Sequence, residues 1–277
     1  MNKPSKLEDL IDLFKLPDLC EELKTYQVLN YGSTATVYSK NGYVLKEIYL
    51  ESDSIVSRKL RELSNNIFIQ SDKELSKYIP AFFGFYMCDG SMILKFAYTG
   101  KTFKEQLVDL SLSQIKQVVS DVRTYIVKFN KAGIIHGDLH LDNIFYNNEN
   151  TYISDWGKNI DKRWNITKDD LNLEFYPGIY YGVYLAYFFK QNSMSDIEKY
   201  LESKKLLTKV KQYADNELSF QSKAMSYKPK KFLEKAYKIF YQDALEIMLI
   251  REFNYVMSHT KLPEGFKSYL SQFRKFS

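Results

Sequence analysis

The segment Ile135-His136-Gly137-Asp138-Leu139-His140-Leu141-Asp142-Asn143-Ile144-Phe145 carries the most specific pattern in this chain. It spaces Asp138 and Asn143 five residues apart inside a frame of apolar side chains, and a second aspartate follows one short hairpin later in Asp155-Trp156-Gly157. Aspartate and asparagine are common turn residues, and each of these alone would be read as one. Carboxylate and amide oxygens are also the hard ligands that Mg²⁺ prefers. The joint spacing therefore favours a loop that holds oxygen ligands in a fixed arrangement.

Length and composition limit the classes of protein to which the chain can belong. With 277 residues, of which 45% are hydrophobic, it can form one large domain or two lobes around a shared cleft. The formal net charge of +5 is small for this length, and most lysines are scattered among acidic residues as on a solvated helix face. Lysines cluster only at Lys228, Lys230 and Lys231, where the polar start of a helix is the favoured interpretation. We therefore predict no nucleic-acid partner.

The cysteines and the apolar segments bear on the cellular compartment. Cys20 and Cys88 lie far apart and match neither a disulfide framework nor a zinc-site spacing, so we predict buried, reduced cysteines in a reducing compartment. Residues 1–16 contain no uninterrupted apolar stretch typical of a secretory signal. The longest apolar run, 179–189, is shorter than the roughly 20 residues that span a bilayer and predicts a buried helix. We expect a cytoplasmic protein without a transmembrane segment.

The first third of the chain has the pattern of an antiparallel sheet interrupted by one helix, after a helical lead-in over residues 1–24. Short runs rich in valine, tyrosine and isoleucine predict the strands, and Asn41-Gly42 predicts a tight hairpin turn between the second and third of them. The predicted strands cover 26–31, 34–39, 43–48, 82–87 and 92–96, and the predicted helix covers 54–70.

One lysine of this region has an unusual position. Alternation along the third strand places Lys46 on the same face as apolar neighbours, where an apolar side chain is normally found. On an edge strand, a lone lysine is usually a solubility device. Glu62, in the following predicted helix, is the carboxylate best placed to pair with Lys46, and Glu51 and Glu74 are its rivals.

The remainder of the chain predicts helices, apart from one hairpin. Ser111 and Gln114 form a capping box before a long apolar stripe, and Gly133 can end that helix in the left-handed conformation. The hairpin strands are predicted at 144–146 and 152–154, which would present Asn143 and Asp155 at neighbouring strand ends. Further signals lie at an apolar helix over 180–190, at a capping box of Ser195 with Glu198, and after Pro263-Glu264-Gly265.

Four parts of the chain, in this order and spacing, resemble the protein-kinase-like superfamily. They are a glycine turn at Gly32, the strand that carries Lys46, the motif His136-x-Asp138-x-x-x-x-Asn143, and Asp155-Trp156-Gly157. The resemblance covers nearly the whole chain from Tyr26 onward. It implies an α+β class and a bilobal protein-kinase-like fold, with a small antiparallel-sheet N-lobe at 25–97 and a mainly helical C-lobe at 98–277.

The resemblance also implies a role for each matching residue. Lys46 would hold the α- and β-phosphates of ATP, with Glu62 bracing it, and Asp138 would orient the acceptor hydroxyl. Asn143 and Asp155 would bind Mg²⁺. Further nucleotide contacts are implied at Gly32, Ser33, Thr34, Val37, Leu94, Phe96 and Ala97, with the backbone of 95–97 facing the adenine edge and Leu94 at the back of the pocket.

Departures from the family pattern bear on activity and regulation. Gly137 stands where regulated kinases carry an arginine, so we expect an enzyme that is active without phosphorylation of its activation loop. His140 stands where serine/threonine kinases usually place a lysine, and Trp156 replaces a phenylalanine. Asn30 and Ala35 occupy the positions of the two outer glycines of the phosphate loop.

Two classes of acceptor stay open. The Gly-Ser-Thr-Ala loop looks like that of compact bacterial effector kinases that act on host proteins, whereas His-Gly-Asp-Leu-His is similar to aminoglycoside, choline and lipopolysaccharide kinases. We favour an atypical serine/threonine protein kinase with a protein substrate, of a type that can be delivered to a host cell, because no acidic insert for a cationic acceptor is evident. A kinase for a small hydroxylated metabolite is the alternative, and a pseudokinase that acts as a binding module is a third class. His136 is expected to be a structural residue of the loop.

Overall fold

The computed structural model describes residues 12–17, 20–23, 25–31, 35–50, 53–88, 90–158, 176–224, 230–263, 265–266 and 268. Within these ranges the protein is α+β, as the sequence predicts. A five-stranded antiparallel sheet comes first, and a mainly helical region with one two-stranded hairpin follows it.

The five-stranded sheet has the order β1-β2-β3-β5-β4. Its strands are β1 (Gln27–Tyr31), β2 (Ala35–Lys40), β3 (Tyr43–Tyr49), β4 (Phe82–Cys88) and β5 (Ser91–Ala97), each within two residues of its prediction. Lys40 pairs with Tyr43 across a two-residue turn, in which Asn41 has a φ of 51° and Gly42 a φ of 81°. Positive φ at both central residues is the type I′ geometry that an Asn-Gly hairpin favours, so the predicted hairpin is confirmed.

One face of the sheet packs against a long helix. On this face, Ile48, Met92 and Leu94 pack against Leu63 and Ile67 of the helix, and all five side chains are almost completely buried. That helix is α2 (Asp53–Ser71), numbered after α1, a single turn at Cys20–Leu23. Burial of each such side chain contributes about 1.5–3 kcal/mol, so this face is the main fixing point of α2.

The segment before β1 covers the outer edge of β4. The Leu16 N–H donates to the Phe85 carbonyl at 2.7 Å, and Phe14 stacks on Phe82 with ring centroids 5.6 Å apart. Gly84 permits this approach, because a Cβ atom there would lie 2.2 Å from the Phe14 carbonyl oxygen. The segment therefore supplies partners to a strand edge that would otherwise be open. The rest of the predicted lead-in helix, residues 1–11, lies outside the described residues.

The two cysteines form a disulfide, so the prediction of reduced, separate cysteines is wrong. Cys20 and Cys88 have their Sγ atoms 2.04 Å apart and their Cα atoms 5.7 Å apart. The fold places the end of β4 beside α1. The sequence does not reveal this proximity, because the two cysteines are 68 residues apart. The inference of a reducing compartment rested on unpaired cysteines and loses that support.

The helical region contains one long central helix and a series of later helices. They are α3 (Phe103–Gln106), α4 (Leu112–Lys131), α5 (Gly182–Gln191), α6 (Met194–Ser203), α7 (Leu207–Ala224), α8 (Lys230–Arg251) and α9 (Phe253–His259), with the hairpin β6 (Ile144–Tyr146) and β7 (Thr151–Ile153) after α4. The two strands of the hairpin match their prediction to within one residue. Among the described residues, no helix is both long enough and apolar enough to cross a membrane.

Helix α4 forms as the sequence predicts. The capping box of Ser111 and Gln114 is present in both directions, and Gly133 follows the helix with a φ of 78°. The predicted apolar stripe is buried throughout, at Ile115, Val118, Val119, Val122, Ile126 and Phe129. This stripe fixes the end of α4, and so the start of the segment that opens at Ile135.

The predicted start of α6 is wrong by two residues. Ser193 caps the helix by accepting a hydrogen bond from the Asp196 N–H, whereas the sequence favoured Ser195 with Glu198. Both pairs have the same serine-to-acid spacing, and the earlier one is used because α5 ends at Gln191 and leaves only a short connection. Helix α8 does begin at Lys230, which agrees with the reading of that lysine cluster as the polar start of a helix.

Removal of the disulfide is expected to destabilise the protein. A cross-link that closes a loop of 68 residues restricts the unfolded chain and contributes roughly 2–4 kcal/mol. We expect the free energy of unfolding, measured in urea, to fall by this amount in the double variant Cys20→Ser/Cys88→Ser and in the wild type treated with dithiothreitol. The double variant itself should show no further change in dithiothreitol. Equal midpoints for the wild type with and without reductant would contradict the cross-link.

Candidate active site

Lys46 lies on β3, the central strand of the sheet, on the face that packs against α2. In the strand register it is opposite Val37 on β2 and Leu94 on β5. Directly opposed residues in antiparallel strands have side chains on the same face, so these three side chains form a row across the sheet. The sequence assigned all three to the nucleotide site, and the structure brings them together.

Two carboxylates hold the ammonium group of Lys46. Its Nζ lies 2.5 Å from Glu62 Oε1 and 2.7 Å from Asp155 Oδ1, and the Glu62 side chain is only 2% exposed. Burial lowers the pKa of Lys46, but the carboxylates of Asp155 and Glu62 raise it, and the net pKa is above the ordinary value for lysine. The lysine is therefore a fixed cation at neutral pH. The predicted Lys46–Glu62 pair is confirmed.

The rivals of Glu62 do not contact Lys46 in the part of the chain that is described. Glu74 is exposed and pairs instead with Lys77 and Lys128, at 2.7 Å each. Glu51 lies outside the described residues.

Helix α2 also holds the segment around Asp155 through a residue that sequence reasoning missed. Asn65 is one helical turn after Glu62, and its Nδ2 donates to the Trp156 carbonyl at 2.5 Å. Gly157 allows helix α2 and the segment after Asp155 to approach closely, because a Cβ atom there would lie 3.1 Å from Glu62 Oε2. The i, i+3 spacing of Glu62 and Asn65 on one helix face was the available signal.

The segment that opens at Ile135 is fixed by a buried, neutral histidine. His136 is fully buried, its Nδ1 accepts from the Asp138 N–H at 3.2 Å, and its Nε2 lies 2.7 Å from the Ser154 carbonyl oxygen. Because Nδ1 accepts, the proton is on Nε2 and donates to Ser154. Burial lowers the pKa of His136, which keeps the ring neutral. Trp156 packs on the ring at 4.6 Å, and the predicted structural role of His136 is confirmed.

Asn143 lies at the end of the same loop, beside the segment that carries Asp155. Its Nδ2 donates to the Asp138 carbonyl at 2.9 Å and lies 3.0 Å from His140 Nε2. The backbone carbonyl of Asn143 accepts from the Ser154 N–H at 2.9 Å, next to Asp155. The sequence predicted that Asn143 and Asp155 lie at neighbouring strand ends, and this pairing across β6 and β7 is confirmed.

Asp155 has a backbone conformation that is uncommon for a residue with a side chain. Its φ is 63°, in the left-handed region, which costs about 1–3 kcal/mol and persists only where the surroundings enforce it. The ion pair with Lys46 and the contacts of the two following residues with α2 are such surroundings. Strain of this kind concentrates at functional sites.

The residues present fit a bound Mg²⁺. Asn143 Nδ2 is used by backbone and histidine acceptors, which identifies Oδ1 as the side-chain atom that can act as a ligand. Asp155 adds a carboxylate whose Oδ1 contacts Lys46. One carboxylate with one amide oxygen is a donor set that suits Mg²⁺ shared with phosphate oxygens. Within the described ranges, no group of three or more His, Cys, Asp and Glu side chains could hold a metal ion.

A group of acidic side chains lies beside the loop, where the sequence indicated none. Lys104 Nζ bridges Asp142 on the loop, at 3.1 Å, and Glu246 on α8, at 2.9 Å. Asp243 is exposed at the surface of α8, and partial desolvation by its neighbours together with the nearby Glu246 carboxylate raises its pKa to about 6. Burial lowers the pKa of His140, but Asp142 raises it, and the net shift is upward. Helix α8 therefore brings negative charge to the loop that holds Asp138.

The segment predicted to face the adenine edge, 95–97, forms the end of β5. Strand β5 continues to Ala97, and Phe96 pairs with Val44 on one side and Phe82 on the other, while the Ala97 N–H donates to Ala81 at 2.8 Å. The backbone of 95–97 thus lies within the sheet, and its contact with an adenine base stays a prediction. The chain leaves the sheet at Tyr98. The phosphate-loop residues Gly32, Ser33 and Thr34 lie outside the described residues.

Loss of the Glu62 carboxylate is expected to destabilise the protein. The variant Glu62→Gln keeps the shape of the side chain but removes a charged hydrogen bond to Lys46, which contributes about 1.5–3 kcal/mol. We expect the free energy of unfolding, measured in urea at pH 7, to fall by this amount. Glu74→Gln is the matched control and should change stability far less, because that carboxylate is exposed. Equal effects of the two variants would show that the Lys46–Glu62 pair does not hold α2 to the sheet.

The raised pKa of Asp243 predicts a pH-dependent stability. Its folded pKa of about 6 exceeds the ordinary 3.8, so the folded protein binds the proton more tightly and loses stability as the pH rises through this window. We expect Asp243→Asn to raise the melting temperature only slightly at pH 7.5, because solvent screens this exposed side chain, and to leave it unchanged at pH 4. Asp109→Asn, at an 82% exposed side chain, is the control. A shift of equal size at both pH values would refute the pKa assignment.

Comparisons with known proteins add no family assignment. A scan against protein-family models finds no match to this chain, and a search of curated proteins finds no matching relative. The interpretation of the site therefore rests on the sequence motifs and on the contacts described above.

Proposed function

We propose that this chain is an ATP-dependent, Mg²⁺-dependent phosphotransferase with a bilobal protein-kinase-like fold. The single observation that carries the proposal is the convergence on Lys46 of Glu62 and Asp155, which are 16 and 109 positions away in the sequence. Asn143 is held at the adjoining strand end. A kinase needs this set of groups, in this order along the chain, to hold phosphates and metal.

Each residue then has a distinct task. The Lys46 cation neutralises the α- and β-phosphates, and Glu62 keeps it in place. Asp138 orients the acceptor hydroxyl and accepts its proton. Asn143 Oδ1 and the Asp155 carboxylate would hold Mg²⁺, which, when bound, offsets the charge that builds on the transferred phosphoryl group. Most of the rate enhancement would come from positioning and electrostatics.

The proposed acceptor is a serine or threonine hydroxyl of a protein. Gly137, with a φ of 76°, stands where a regulated kinase carries arginine, so no cation at that position awaits a phosphorylated loop. The protein is proposed to be active as synthesised, in the manner of an atypical or effector kinase.

A small cationic metabolite is the second candidate acceptor, and one observation favours it. Asp243 and Glu246 of α8 lie near His140 and Asp142. Negative charge beside the loop of Asp138 would attract an amine-bearing alcohol such as an aminoglycoside or choline. This observation weakens the sequence-based reason for preferring a protein acceptor.

A labelling experiment separates these functions. The protein is incubated with γ-labelled ATP and Mg²⁺, with casein in one reaction and with kanamycin or choline in others. Label on casein, or on the protein itself, supports the protein kinase, and label on the small molecule supports the second candidate. No transfer to any of them, together with normal ATP binding, would favour a pseudokinase and refute the proposal.

Asp138→Asn is expected to lower kcat at least 100-fold, because the amide cannot accept the hydroxyl proton. The KM for ATP should change little, since Asp138 is assigned to the acceptor side. Asp109→Asn, at an 82% exposed side chain, should retain wild-type activity. An Asp138→Asn variant with wild-type kcat would remove this residue from the mechanism.

A further inference from the structure

A helical turn before α5 lies directly against the backbone of the loop between Asp138 and Asn143. The turn covers Tyr176–Tyr181 and continues into α5. A Cβ atom built on Gly178 would lie 1.4 Å from the Leu139 carbonyl oxygen, 2.5 Å from the Leu139 carbonyl carbon and 3.3 Å from the His140 Cα. Any side chain at this position would occupy the space of the loop backbone.

A second glycine continues the same contact one turn later. A Cβ atom on Gly182 would lie 2.8 Å from the Leu141 Cγ. Neither Gly178 nor Gly182 has a positive φ, so the backbone conformation itself does not require glycine at either position. Alanine is the better helix former, and the close approach to the loop therefore accounts for both glycines.

The helix and the loop are both anchored in the main core. Ile179, Val183, Tyr184 and Phe188 are each at most 2% exposed in the main core. The loop at this point is a short 3-10 turn, Leu141–Asn143, whose Leu141 is buried in the same core and whose Asn143 Nδ2 donates to the Asp138 carbonyl. A wedge between the two would consequently shift the Leu139 backbone relative to the helix.

We infer that Gly178 is a positioning residue for the reaction: its lack of a side chain lets α5 set the backbone that carries Asp138 and Asn143. The inference rests on the proposed function for its effect on catalysis. Residues 139–141 lie between Asp138 and Asn143, so a shift of their backbone changes the separation of the hydroxyl-orienting group from the metal-binding amide. Displacement of about 1 Å at such a site can reduce the rate about 100-fold.

Gly178→Ala tests this role. We expect kcat to fall at least tenfold and the KM for ATP to change less than twofold, because Lys46 and Glu62 are not touched. Hydrogen exchange of peptides that cover 136–143 should accelerate, whereas peptides from β3 and α2 should exchange as in the wild type. Gly182→Ala, which meets a side chain instead of backbone, should act in the same direction with a smaller loss.

Ala186→Gly is the matched control, because it weakens α5 without adding a side-chain atom against the loop. It should lower the melting temperature and leave kcat within twofold of the wild type. Unchanged kcat and unchanged loop exchange in Gly178→Ala would overturn the inference. So would a fall in kcat that has the same ratio to the fall in melting temperature in Gly178→Ala as in Ala186→Gly. If Gly178→Ala does not fold, the same criteria apply to Gly182→Ala.

The two proposals fail in different ways. If the wild type transfers no phosphate, the proposed function fails, and accelerated exchange of 136–143 in Gly178→Ala still supports the positioning contact. If the wild type is active and Gly178→Ala matches it in kcat and exchange, only the positioning role fails.

Discussion

The buried ammonium group of Lys46 is the interaction on which the arrangement of this protein depends. It joins the central strand of the sheet, helix α2 and the segment after β7, which come from three distant parts of the chain. A charge removed from water is costly unless it is paired, so Lys46 is stable in its place only when Glu62 and Asp155 are both in theirs. Asn65 and Gly157 strengthen the same junction. The junction thus links the folding of the sheet to the geometry of the candidate site.

Much of the fold could be predicted because its signals are local. The Asn41-Gly42 turn, the capping box of Ser111 and the apolar stripe of α4 each specify a structure within a few residues. The Lys46–Glu62 pair could be predicted because an unusual lysine in an apolar strand needs a nearby carboxylate, and the next helix supplies one. Where two local signals of equal quality compete, as at the start of α6, the choice depends on the length of the preceding connection.

The features that could not be predicted depend on contacts between distant segments. The Cys20–Cys88 disulfide and the bridge from Lys104 to Glu246 have no local pattern. Gly178 has the appearance of an ordinary glycine until the loop backbone is seen against it. The end of β5, one residue beyond its predicted end, could not be located from a periodicity that fades at its last residues. Negative charge from α8 reaches the candidate site only through tertiary packing.

A crystal structure with Mg²⁺ and a non-hydrolysable ATP analogue tests the central claim most directly. The account predicts that the α- and β-phosphates contact Lys46 Nζ, and that the metal is bound by Asn143 Oδ1 and the Asp155 carboxylate, with the Lys46–Glu62 pair retained. A nucleotide bound elsewhere on the protein, or a complex in which Asn143 and Asp155 make no contact with the metal, would contradict it.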